Sequence, residues 1–125
     1  MIPEVERVVK GLVRLKKELN TLAERRKAEQ AVMERNPSGA TRNQVKGIYE
    51  EFTNDLEKIR GWKSWLEESK TLLETLHPRM FPYPSQEHQI DIIIPVIDKY
   101  YNGLKFLERD RVETLRMLGS WLDSH

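Results

Sequence analysis

Cysteine is absent from these 125 residues. That excludes a disulfide framework, a thiolate-held metal and a nucleophilic thiol. It fits a reducing compartment, so a cytoplasmic or otherwise intracellular location is the expectation. Long apolar runs are missing as well, and nothing approaches the roughly 18 residues that a membrane span needs. The chain opens Met1-Ile2-Pro3-Glu4, with no basic region leading into an apolar run, and no signal peptide is expected. Glycines number six and aromatics are 8% of the chain. They form neither a phosphate-cradling loop nor a nucleophile elbow. Histidine occurs only as His77, His88 and His125. Glu74 and His77 have the helical spacing of half a di-metal carboxylate site, but no second Glu-x-x-His accompanies them. His77 therefore reads as a helix end. These absences predict no enzyme, no cofactor and no metal.

What remains is charge and periodicity. Charged residues are 33% and hydrophobic residues 38%, a balance suited to long helices. Val5, Val8, Leu12, Leu15, Leu19 and Leu22 alternate steps of three and four, the spacing of a coiled-coil seam. A second stripe runs from Val45 through Ile48, Tyr49, Phe52, Leu56, Ile59, Trp62, Leu66 and Leu73 to Leu76. A third runs from Ile90 through Ile93, Ile97, Tyr100, Leu104, Leu107, Leu115 and Leu118 to Leu122. The breaks are Asn36-Pro37-Ser38-Gly39 and the segment His77 to Ser85, which holds Pro78, Pro82 and Pro84. Helices over about 3–35, 42–76 and 86–124 follow, with Thr41 or Asn43 capping the second and Ser85 the third. Pro95 is the weak point, since it forbids one backbone hydrogen bond. The isoleucine run beside it also admits a strand reading, but a lone strand would lack a partner. The expected fold is all-α: one domain, residues 1–125, forming an elongated antiparallel three-helix bundle of the coiled-coil kind. Leu15, Ile59, Trp62 and Tyr100 belong to its middle core. Gly61, beside Trp62, is expected to admit a neighbouring helix closely.

Net charge is +1, and that value hides an asymmetry. Residues 1–46 hold 11 Lys/Arg against 6 Asp/Glu, residues 47–77 hold 4 against 7, and residues 78–125 hold 6 against 7. A basic first helix beside an acidic second one accounts for this, with charges flanking the seam. The alternative is a basic face for nucleic acid or acidic lipid. Acidic residues interrupt it, and it carries no aromatic for bases to stack on.

The first stripe lapses at Arg26 and Glu29, and the third lapses at Arg111. Folding the chain about its two breaks brings Arg26 level with Glu51 and Arg111. A polar core layer of Arg26, Glu51, Asp55 and Arg111 is expected, with Glu50 as a further carboxylate in reach. The competing expectation lays both arginine stems on the core and puts their heads in water.

The second break carries Met80, Phe81 and Tyr83 between prolines. They either fold back as a lid or present a stiff extended peptide to a partner. Trp65 lies about 80–100° around its helix from the main stripe, a position suited to an interface anchor. Trp65, Met80, Phe81 and Tyr83 are therefore the candidate partner-binding residues. A surplus apolar edge of Val9, Val13, Tyr101 and Met117 suits pairing of two copies.

The run Glu51-Phe52-Thr53-Asn54-Asp55-Leu56-Glu57-Lys58-Ile59-Arg60-Gly61-Trp62-Lys63-Ser64-Trp65-Leu66-Glu67-Glu68 resembles the first helix of a spectrin repeat. Phe52, Asp55, Ile59 and Trp62 match that family's spacing toward its core tryptophan. The resemblance implies a triple-helical, non-enzymatic module that binds cytoskeletal or adaptor partners. It covers 18 residues, and the Asn36–Gly39 break departs from the continuous helix that joins one family unit to the next. The expected function is a non-enzymatic protein–protein interaction or scaffold module, with nucleic-acid or acidic-membrane binding through the first helix as the alternative.

Overall fold

The computed structural model describes residues 3–35, 42–76 and 84–125, with side chains at 31–35 and 84–88 outside that description. Three helices account for nearly all of it: α1 (Pro3–Arg35), α2 (Arg42–Thr75) and α3 (Pro84–Ser124). No strand occurs among the described residues. The fold is an all-α three-helix bundle.

The bounds differ slightly from those expected. α2 stops one residue sooner, and α3 begins two residues earlier, at Pro84. Proline fits the first position of a helix because its missing N–H would be unpaired there anyway. Ser85 and Asn43 accordingly lie inside helices rather than before them. Thr41 and the loop residues Met80, Phe81 and Tyr83 lie outside the described residues.

Pro95 sits inside α3. Ile90, Ile93 and Ile97 are buried while Ile92 and Pro95 are exposed. Steps of three and four, not alternation, organise the segment, which settles helix over strand. The hydrogen bond that Pro95 cannot make would have gone to the carbonyl of Asp91. Asp91 is exposed, so water can satisfy that carbonyl.

Cross-helix contacts fix the topology. Arg25 meets Asp55, Glu18 meets Lys58 and Gly11 meets Trp65, so α1 and α2 are antiparallel. Lys63 meets Glu108 and Lys70 meets Asp98, so α2 and α3 are antiparallel too. The backbones of α2 and α3 run close together, whereas α1 stands further from both.

Two apolar clusters form the core. The larger joins Val5, Val8, Leu12, Leu15 and Leu22 of α1 to Ile59, Leu66 and Leu73 of α2 and to Ile90, Ile93, Ile97 and Leu104 of α3. Trp62 and Tyr100 pack against it as half-buried edge residues. The smaller joins Val45, Ile48 and Phe52 to Leu118, and among the described residues no α1 side chain joins it. Among the described residues, Leu22 is the last α1 side chain to enter a buried cluster.

The close approach expected at Gly61 is absent. Gly61 is exposed, with open space where a side chain would go. Gly11 has that role instead. A methyl group there would overlap the six-membered ring of Trp65, so the bare backbone of α1 makes the slot in which that ring lies. Trp65 meets Trp62 edge to face at 5.4 Å, and the pair closes the α1–α2 flank of the core.

The two glycines therefore respond oppositely to alanine. Both substitutions gain roughly 1 kcal/mol of helix propensity. Gly61→Ala keeps that gain. Gly11→Ala loses about 1–3 kcal/mol net, because a large ring must leave its packed position. Urea unfolding of the two variants checks the opposite signs.

Candidate functional site

The two apolar clusters are separated by a charged layer. Asp55 and Arg111 lie in it, and both are fully buried, at 0% exposure. Each occupies a seam position, so the helical stripe aims it inward. Arg111 reaches across the bundle and donates from Nη2 to the Leu22 backbone carbonyl of α1 at 2.7 Å. The same nitrogen lies 3.7 Å from Asp55 Oδ2, while Nη1 donates to Asp110 Oδ2 at 3.2 Å. Its guanidinium stands over the Phe52 ring, 4.7 Å from the centroid. Asp55 accepts a hydrogen bond from Arg25 Nη1. Arg26 Nε donates to Asp110 Oδ2 at 3.0 Å.

The arrangement differs in detail from the sequence expectation. Arg26 pairs with Asp110 of α3 rather than with a carboxylate of α2. The cation on Asp55 from α1 is Arg25. Glu51 is exposed, at the rim of the layer rather than in the core, where it shares a hydrogen bond with Glu29. Arg25 and Asp110 were legible only as immediate neighbours of the two arginines that interrupt the stripes. A seven-residue repeat locates a height along the bundle, but it does not say which of two adjacent side chains turns inward.

Burial pulls the Arg111 guanidinium below its ordinary value, while Asp55 and Asp110 push it back up. A guanidinium does not lose its proton at neutral pH, so the layer holds a permanent buried cation. Its hydrogen bonding is incomplete: Arg111 Nε and Asp55 Oδ2 are buried without a hydrogen-bond partner. Buried ion pairs of this kind return little net stability against a well-packed apolar pair. What this one does return is register. Sliding an apolar seam by one heptad restores most contacts, but it would strand both charges.

Glu29 carries the opposite perturbation. Burial raises its carboxyl above the ordinary 4.5, as do the hydrogen bond and negative charge of Glu51 and the charge of Asp55, with Arg25 opposing. The folded chain therefore holds that proton more tightly than the unfolded chain does. The contribution of Glu29 to stability is largest at low pH and is lost as pH rises past the carboxylate range.

The second feature is an apolar groove of about 380 Å³ between α1 and α3. Val9, Val13, Ile92, Val96 and Tyr100 line it, with Lys16 at its rim. Val13 and Ile92 are each 55% exposed. Val9 and Val13 belong to the surplus apolar edge read from the sequence, whereas Ile92 and Val96 escaped that reading because they sit among the core isoleucines of α3. Tyr101, from the same edge, turns the other way and donates to Glu67 of α2 at 2.6 Å. Trp65 borders a smaller groove with Glu4, Arg7, Glu68 and Leu72, and does not meet the α1–α3 groove. No group of three metal-ligating side chains is gathered among the described residues.

No family model, curated protein or solved structure matches this chain.

The layer predicts strong non-additivity. Arg111→Met costs about 3–5 kcal/mol, because it leaves Asp55 buried with only a half-exposed partner. Adding Asp55→Leu recovers most of that loss. A double-mutant cycle by chemical denaturation gives the coupling. Glu29→Gln raises Tm more at pH 7 than at pH 4, because burial and the charge of Glu51 penalise the ionised native carboxyl and falling pH protonates it. Calorimetry at the two pH values checks the sign.

Proposed function

We propose that this chain is a non-enzymatic helical protein–protein interaction module, of scaffold type, working in a cytoplasmic setting. The observation that carries the reading is the open apolar groove between α1 and α3. Most apolar positions of the larger cluster are buried or half-buried, yet Val13 and Ile92 beside it are left more than half in water. An apolar trough flanked by two rigid helices suits an amphipathic segment of another protein. The resemblance of residues 51–68 to a spectrin repeat points in the same direction, toward cytoskeletal or adaptor partners. No helix among the described residues is long and apolar enough to cross a membrane.

The charge distribution favours protein over nucleic acid or acidic lipid. Several cations of α1 are already matched within the chain: Lys10 by Glu6, Arg25 by Asp55 and Arg26 by Asp110. A matched cation releases few counterions on meeting a phosphate.

Affinity capture from cell extract with wild type and Val13→Glu tests the reading. Val13 is largely exposed, so the variant keeps its helicity. The expected result is a set of proteins held by wild type and lost by the variant, reproduced with purified components. Identical sets would remove the groove as a contact surface for other proteins. Retention on heparin at physiological salt, abolished by charge reversal at Arg14, Lys16 and Lys17, would establish the nucleic-acid or acidic-membrane alternative instead.

A further inference from the structure

One face of α3 carries a second, largely exposed seam, of which only Val96 and Asp110 also touch the bundle interior. Ile92, Val96, Lys99, Gly103, Phe106, Asp110, Glu113 and Met117 follow one another by steps of four and three throughout, the spacing of an interhelical stripe. It is not the stripe that enters the core. Phe106 is 70% exposed, Met117 64% and Ile92 55%, and Lys99, Gly103 and Glu113 are exposed. Large apolar side chains in water are unremarkable singly. Three of them on one heptad line, continuous with the α1–α3 groove, form a face.

The order of residues along that face is self-complementary. The spacing reads the same in both directions about a point between Leu104 and Lys105. An antiparallel copy laid on it with a two-fold axis at that point sets Phe106 opposite Gly103, where open space surrounds the glycine. It sets Lys99 opposite Asp110, a cation against an anion. It sets Ile92 opposite Met117, so that each methionine enters the other copy's groove beside Val13. Each pairing occurs twice, as an isologous contact requires. Arg26 and Arg111 both bond Asp110 through Oδ2, which leaves Oδ1 for the lysine. Val96 against Glu113 is the unmatched pairing, and Glu113 is already tied to Arg116 at 2.5 Å.

We propose that a second copy of this chain docks antiparallel on the Ile92–Met117 face of α3, with Phe106 of each copy seated over Gly103 of the other. This deepens the interaction-module reading by naming one partner. It is tested on purified chain alone, so its failure leaves the capture result intact, and a negative capture result leaves it intact in turn.

Sedimentation equilibrium from about 5 to 500 µM is expected to show a reversible monomer–dimer equilibrium. Phe106→Glu, at an exposed position, is expected to weaken it at least about tenfold. The absence of native cysteine makes disulfide mapping direct. An equal mixture of Ile92→Cys and Met117→Cys chains is expected to oxidise to the heterodimer. Neither variant alone cross-links, because like positions then lie about 37 Å apart, far beyond disulfide reach. A monomer at every concentration overturns the proposal. So does a dimer indifferent to Phe106→Glu, or one in which Ile92→Cys links to itself.

Discussion

The bundle is organised around a cation in its interior. Arg111 is fully buried, and everything placed around it follows from the need to answer its charge. Asp55 supplies the counter-charge from α2, Asp110 the neighbouring one from α3, and α1 contributes a main-chain carbonyl at Leu22. All three helices are thereby held at one height. The apolar clusters on either side provide the driving force for association, but neither specifies where along its axis each helix stops. The charged layer adds contacts that a shifted register would lose, and its incomplete hydrogen bonding limits what it adds to stability.

The layer also marks a change in architecture. On one side all three helices share a core, while on the other, among the described residues, only α2 and α3 do. α1 gives up its apolar stripe at Arg25 and Arg26, which turn to Asp55 and Asp110 instead. Its cations are then available to α2 and α3, and the helices are knitted by ion pairs as well as by burial. The excess of cations along α1 is in this way a structural resource first.

Most of the fold was legible because heptad spacing states it redundantly. Six α1 positions, from Val5 to Leu22, each repeat the same message, so the error of any one matters little. Helix bounds came within two residues for the same reason, with Pro84 misplaced only because a proline at a first helical position resembles one in a loop. Singular features were less legible. Gly11 and Gly61 look alike in sequence, yet one faces Trp65 and the other faces water. Distinguishing them requires knowing which flank of α2 α1 occupies. The same ignorance hid Arg25 behind Arg26 and Asp110 behind Arg111. The groove was half-visible: Val9 and Val13 stood out as surplus, but Ile92 was masked by isoleucines that the core does use. Trp65 turned out to be a packing residue against Gly11 with one edge in solvent, a role that spacing alone does not separate from that of an anchor.

One consequence concerns how this sequence can diverge. Arg111 addresses α1 through a peptide oxygen, which every residue type possesses. Position 22 is therefore free to drift among apolar residues without disturbing the contact. Chain length is not free in the same way. Inserting or deleting a single residue in α1 before that point would rotate the oxygen by about 100° and displace it by about 1.5 Å, out of the guanidinium's reach. Descendants of this chain should show relaxed composition but intolerance of small indels along that stretch of helix.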